Sequence, residues 1–257
     1  MESSEKAPVA RTPDGVAAKL EQLILDGVLK PGQLLPSERR LCDKLGVSRA
    51  SLREGLRLLR GKGIIETQQG RGSFVARLLP KYDDSPLMHL FRDHPRTLYD
   101  LLEVRALLEG ESARLAALRG TSADRVMLKR RYDEMVAYAE GAAPISAERL
   151  ARFDHAFHLA ICEASHNPVL VHTLQGLTDL LLTSVFASLK NLYHRSGPRA
   201  QINDQHARLF RAVMEQEPER ARQAALDHLH SVDESLREIE AEDERLVRSA
   251  MRLDGWE

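Results

Sequence analysis

Two cysteines in 257 residues, Cys42 and Cys162, lie far apart and form no CxxC pair. That spacing excludes a disulfide framework and a zinc ribbon, and it suits a reducing compartment. Aromatic residues make up only 5% of the chain. Leu and Ala dominate instead, which favours helical packing over a β-sandwich or barrel. No apolar run is long enough for a bilayer: the richest, Leu177 to Leu189, is short and interrupted by Thr, Asp and Ser. Met1 to Ala10 is polar and lacks the apolar centre of a signal peptide. With 43% hydrophobic residues, disorder is excluded as well. These absences point to a soluble cytoplasmic protein of about one to two domains, with no membrane partner.

The formal net charge of −1 conceals an asymmetry. Residues 1–80 carry 14 Lys+Arg against 9 Asp+Glu, a net of +5, and the remainder 23 against 29, a net of −6. All 10 histidines fall in the second part, the first being His89. A basic front and an acidic, His-rich back predict two jobs, with polyanion binding in front. Pro80, Pro86 and Pro95, with Asp83–Asp84–Ser85 among them, mark a connector over 80–95.

The front reads as a three-helix module over 10–79. Val16, Leu20, Leu23 and Ile24 recur at helical spacing before Gly27. Ser37 is positioned to cap a short helix that Gly46 stops, and Ser48 to cap a third helix running to about Lys62. Only Val47 intervenes, so the pair forms a helix-turn-helix over about 37–60. Ile64–Gln68 and Ser73–Ala76, around Gln69–Gly70–Arg71–Gly72, predict a β-hairpin, the wing of a winged helix.

Leu52, Leu56 and Leu59 share one stripe of the third helix, and Arg49, Arg53, Arg57 and Arg60 form another about a quarter-turn away. One helix fits a major groove, where the planar guanidinium fork grips a guanine edge or a phosphate with two hydrogen bonds. Arg49 and Arg53, near the helix start, suit base contact; Arg57 and Arg60 read as a solvated basic face. Gly70 with Arg71 lets a wing backbone approach a sugar-phosphate or minor groove, although an ordinary hairpin turn explains Gly70 equally.

Pro36–Ser37–Glu38–Arg39, Val47–Ser48–Arg49–Ala50–Ser51–Leu52–Arg53–Glu54 and Gln69–Gly70–Arg71–Gly72 resemble the GntR family of bacterial winged-helix regulators. The resemblance implies that Arg39, Arg49 and Arg53 contact double-stranded operator DNA, with Ser48 and Gly70 in supporting contacts.

From Arg96 the chain reads as successive helices, at about 96–119, 122–140, 146–164, 168–193, 200–216 and 218–248. Turns such as Gly141–Pro144, Asn167–Pro168 and Ser196–Gly197–Pro198 separate them, and a tail follows over 249–257. Six or seven helices with short connections form an all-α bundle, here over 96–248. Neither a Gly-rich nucleotide loop nor a G-x-S-x-G elbow occurs.

Polar residues interrupt the apolar stripes of this bundle. Asp154 and His158, four apart, fall on the face marked by Leu150, Phe157 and Ile161. His206 falls among Ile202, Leu209, Phe210 and Val213, and His228 among Ala221, Ala225, Val232 and Ile239. A single inward histidine is commonly a satisfied core residue. One carboxylate and three imidazoles from separate helices make an Asp-His-His-His site for a divalent ion, which would satisfy the buried charge and the free lone pairs. Four protein ligands leave little room for a reactive water, which argues against an enzyme. Arg105 sits in the stripe of Leu98, Leu101, Leu108 and Leu115; it either pairs with Glu109 or presents a fork to a carboxylate ligand.

Asp154-x-x-Phe157–His158, Asn167–Pro168, Gln205–His206 and His228 resemble the FCD effector domain of the FadR subfamily. The resemblance implies that Asp154, His158, His206 and His228 hold zinc, or alternatively nickel or manganese. It also implies that a small effector carboxylate, here expected to be glycolate-like, completes the shell; from the residues themselves Arg105 is its expected partner, and a homodimer is expected to present two recognition helices to a pseudo-palindromic operator.

Overall fold

The computed structural model describes residues 12–76, 94, 96–141, 146–184, 192 and 195–253. The chain divides into two compact units, Met1–Lys81 and Tyr82–Glu257.

In the first unit, helices α1 (Pro13–Leu25), α2 (Glu38–Leu45) and α3 (Arg49–Gly61) precede strands β1 (Ile65–Gln68) and β2 (Gly72–Val75). Each helix starts on a capping hydroxyl. The Gly15 N–H donates to Thr12 Oγ1 at 3.2 Å, Arg40 N–H to Ser37 Oγ at 3.4 Å and Ser51 N–H to Ser48 Oγ at 3.1 Å. Gly46 closes α2 at φ +67, a conformation that costs glycine little, and its N–H donates to Cys42 O at 2.8 Å. Two residues later Ser48 opens α3, so the turn between the two helices is as tight as the sequence predicts.

Val16, Leu20, Ile24, Leu52, Leu56, Leu59, Ile65 and Val75 close the apolar core of this unit. Gly55 lies where α3 crosses α1: a Cβ there would meet Val16 Cγ1 at 2.9 Å and Pro13 O at 3.0 Å. Strands β1 and β2 pair antiparallel, with Ile65 opposite Val75 and Gln68 opposite Gly72. Leu34 bridges to Phe74 on the outer side, so three chain segments brace the wing.

The second unit has six helices among the described residues: α4 (Arg96–Arg119), α5 (Ser122–Glu140), α6 (Ala147–Ala164), α7 (Pro168–Ser184), α8 (Ser196–Met214) and α9 (Pro218–Leu253). A capping box at Thr121 and Asp124 opens α5. Two apolar clusters form the core. One contains Leu98, Leu101, Leu102, Leu150, Ile202, Leu229, Val232 and Leu236. The other contains Ala113, Ala116, Leu128, Phe157, Ile161, Leu209, Val213, Ala221 and Ala225. Along α4, α6, α8 and α9 the buried polar residues lie at or beside the change from one cluster to the other.

Three boundaries differ from expectation. Ser196–Gly197–Pro198 is the first turn of α8 rather than a connecting turn, because a proline there removes an N–H that has no intrahelical partner anyway. That helix also ends at Met214, before Glu215–Gln216. Helix α9 runs through to Leu253, so the expected tail begins as helix; no Gly or Pro interrupts residues 219–253. The connector apart from His94, the end of the fourth bundle helix after Ser184 apart from Leu192, and the last four residues lie outside the described residues.

Candidate nucleic-acid interface and metal centre

Arg49 is the first residue of α3, and Arg53, Arg57 and Arg60 follow along its exposed side. They are held outward because Leu52, Leu56 and Leu59 fill the core on the other side. Arg39, on α2, is exposed too. No carboxylate among the described residues pairs with Arg39, Arg49 or Arg60. The Arg53 Nε donates to Glu38 Oε2 at 3.0 Å, across from α3 to α2. Arg57 folds back onto Glu54 of its own helix, Nε reaching both carboxylate oxygens at 2.9 and 3.0 Å. Ser48 spends its hydroxyl on the cap and on Ser51 Oγ, 2.9 Å away.

On the wing, Gly70 adopts φ +74, and an added Cβ would meet nothing within 4 Å. Backbone conformation, not crowding, calls for glycine there. Gly72 has φ +110 and its Cβ would reach Leu34 Cδ1 at 2.9 Å, so both glycines suit a tight hairpin. Arg71 is exposed, its guanidinium carbon 6.0 Å from the Phe74 ring centroid. Thus all six residues singled out for DNA contact lie exposed in one unit.

The four residues singled out for a metal converge from three helices of the other unit. Asp154 and His158 come from α6, His206 from α8 and His228 from α9, and one donor atom of each lies within 4.8 Å of the others. His206 Nε2 is 3.0 Å from Asp154 Oδ1 and 3.2 Å from His158 Nε2, and Asp154 Oδ1 is 3.9 Å from His158 Nε2. Tetrahedral zinc with bonds of about 2.0–2.1 Å sets its ligand atoms about 3.3 Å apart, so small side-chain movements would bring the set onto an ion. Asp154 Oδ1 and His206 Nδ1 are buried and lack a well-aligned hydrogen bond. Such orphaned atoms are costly in a dry interior, and the donor set fits a divalent cation.

Behind the donors stands a second layer. Glu109 Oε2 lies 2.8 Å from His158 Nδ1, off the line of a good hydrogen bond, so this pairing is chiefly electrostatic. His228 Nδ1 lies 3.2 Å from Gln205 Oε1. Acceptors at both Nδ1 atoms place the protons there and leave the Nε2 lone pairs for an ion. Arg105 donates to Glu109 Oε1 through Nε at 2.8 Å, with Nη2 at 2.5 Å. Of the two alternatives for Arg105, the internal pair with Glu109 is therefore formed.

Burial alone would raise the carboxyl of Asp154, but His206, His158 and His228 hold it far below the usual range. Glu109 likewise stays ionised against burial, through Arg105 and His158. Burial would lower His158, yet Glu109 and Asp154 raise it above 6.5. Burial lowers His206 despite Asp154. It lowers His228 much further, helped by repulsion from His206 and His158. The cage thus sets two ionised carboxylates against Arg105 and a His158 that holds its proton, with His206 and His228 as imidazoles that favour the neutral form.

Glu109 and Gln205 were not read from the sequence as partners of the histidines. Glu109 showed only its four-residue spacing from Arg105, and its approach to His158 spans 49 positions. Gln205 had a weak signal, as the neighbour of His206 in one motif.

Comparison with known proteins bears on both units. Residues 12–75 match the bacterial regulatory proteins, gntR family, and residues 100–231 match the FCD domain. The chain belongs to the GntR family. The Glc operon transcriptional activator of Escherichia coli (strain K12) is 59% identical over 250 residues, 97% of each chain. The putative L-lactate dehydrogenase operon regulatory protein of the same organism is 32% identical, covering 95% of this chain and 93% of the relative. Among solved structures, Streptococcus agalactiae GntR aligns with a TM-score of 0.54 at 26% identity, over 87% of this chain and 99% of that one. This GntR-family protein is a DNA-binding transcriptional regulator, not an enzyme. No helix among the described residues is long and apolar enough to cross a membrane.

Proposed function

We propose that this regulator senses glycolate, or a related small 2-hydroxy acid, in a metal-containing pocket and activates an operon for its use. The observation that carries the reading is the convergence of Asp154, His158, His206 and His228 in the interior of a domain whose family regulates transcription. Activation is supported by the relative that shares 59% of its residues, itself named an operon activator.

Asp154, His158, His206 and His228 would hold the ion, zinc first and nickel or manganese as alternatives. The ion would supply an electrophilic anchor for a carboxylate and an adjacent hydroxyl. Arg105 would pair with the same carboxylate through the Nη1 end that Glu109 leaves unused. Arg39, Arg49 and Arg53 would read operator bases, with Ser48, Gly70 and Arg71 at the backbone. The working form would be a cytoplasmic homodimer matching a two-fold operator. Val104 and Leu107, one turn apart on α4, leave apolar surface exposed and favour self-association; Leu118 is exposed further along, beyond the Glu111–Arg114 pair. Leu107→Glu should then yield monomers in sedimentation, and an unchanged mass would remove α4 from the interface.

The name of the 32%-identical relative favours a second reading, with L-lactate as effector. Calorimetric titration of glycolate, lactate, pyruvate and acetate into metal-loaded protein, with and without operator DNA, separates the two. Glycolate should bind most tightly and its affinity should change when operator is present. Equal binding of all four acids, or none, would overturn the assignment.

A further inference from the structure

We propose that Glu109 is a positioning residue that joins the carboxylate-binding group Arg105 to the metal-binding group His158, so that ion and acid bind cooperatively. The inference rests on the reading just given, in which Arg105 takes the acid and His158 the ion.

Glu109 is 7% exposed, in the middle of α4, and its two oxygens serve two different helices. Oε1 accepts from the side edge of the Arg105 guanidinium, one turn earlier on α4. Oε2 faces Nδ1 of His158 on α6. With Oε1 hydrogen-bonded to Arg105 and Oε2 held against His158 by charge, the carboxylate cannot turn toward one partner without loosening the other. Ser112, one turn further along α4, is buried and meets Cys162 Sγ at 3.5 Å, so no water-filled space beside Glu109 is required by these contacts. In such surroundings charge–charge interactions are screened weakly.

Two consequences follow from that geometry. A carboxylate oxygen 2.8 Å from Nδ1 favours the proton there and leaves the Nε2 lone pair of His158 for the ion. The pair also sets the plane of the guanidinium and turns its Nη1 end away from Glu109. When a carboxylate docks on that end, Arg105 shares its positive charge between two anions and its grip on Glu109 weakens. Glu109 then presses more of its charge on the Nδ1–H of His158, making the imidazole a stronger donor to the ion. The reverse also holds, since coupling between two bound species is reciprocal.

The test is metal affinity of the full chain, by competition of Zn2+ against a chromophoric chelator, with and without glycolate. Glycolate should tighten Zn2+ about 5- to 150-fold in the parent protein, the ordinary range of such couplings. Glu109→Gln should weaken Zn2+ about 10- to 100-fold and reduce the glycolate effect to the part that direct contact between acid and ion supplies. Glu109→Asp keeps the charge but shortens the arm, so one carboxylate no longer meets both partners; it should weaken Zn2+ and reduce the coupling in the same direction as Glu109→Gln. If Glu109→Gln does not fold, Glu109→Asp decides the matter. A parent that binds Zn2+ with full coupling retained in both variants overturns the role of Glu109 and leaves the metal site standing. A parent that binds no Zn2+ overturns the metal site itself, and the proposal with it.

Discussion

Glu38 of α2 accepts a hydrogen bond from the Nε of Arg53 in α3, at 3.0 Å, tying the two helices of the helix-turn-helix together through an exposed pair. Using Nε for this contact leaves the Nη1 and Nη2 end of Arg53 available for a bidentate grip on a base or phosphate. An exposed pair of this kind adds only about 0–1 kcal/mol to stability. Its weight should fall on recognition. Glu38→Ala is expected to leave thermal unfolding close to that of the parent while binding to random DNA strengthens, because a negative charge near the phosphates has gone. The preference for operator over random DNA should fall in the same variant, as measured by competition binding. An undiminished preference would show that Glu38 does not orient Arg53.

Gly55 sets how closely α3 lies on α1. Gly55→Ala puts a methyl group 2.9 Å from Val16 Cγ1 and 3.0 Å from the Pro13 carbonyl oxygen. The gain in helix propensity, about 1 kcal/mol, opposes overpacking that typically costs about 1–3 kcal/mol. The carbonyl belongs to the backbone and yields little, so net destabilisation is expected in thermal unfolding. Val16→Ala removes only the 2.9 Å contact and itself opens the core, so the two substitutions together should cost less than the sum of their separate losses. If Gly55→Ala proves more stable than the parent, the close approach of α1 and α3 is wrong.

The histidine cage should make metal binding depend on pH. His158 holds its proton above the ordinary value of 6.5, and an ion must expel it. Apparent metal affinity should therefore rise with pH until His158 is deprotonated, with proton release visible in buffers of different ionisation heat. Without metal, the raised His158 stabilises the fold fully below 6.5 and loses that contribution as pH rises through its folded value. The lowered His206 and His228 act oppositely, withdrawing stability as pH falls below 6.5. From this cage, metal-free protein should be most stable near 6.5, and added metal should move that optimum upward. Identical pH profiles with and without chelator would contradict the cage.

Much of this was legible in the chain because the signals are local. Ser37, Ser48 and Gly46 announce helix ends one or two residues from where they act, and the 3.6-residue period puts His158, His206 and His228 on the faces that turn out buried. Apolar periodicity also says which face a polar residue shares, so four donors on three helices could be grouped before their distances were known. The reach of α9 to Leu253, past the expected end at 248, had a signal that went unused, the lack of any Gly or Pro before Gly255. Contacts between elements distant in sequence were not legible. Glu38 with Arg53 and Glu109 with His158 depend on how two helices cross, and no spacing along the chain encodes either pairing.

The account stands most directly on the divalent ion content of protein purified without chelators, measured by elemental analysis. It predicts close to one ion per chain in the parent and almost none in the His206→Ala, His228→Ala double variant, with helical content preserved in both. A parent free of metal, or a double variant that keeps its ion, would contradict it.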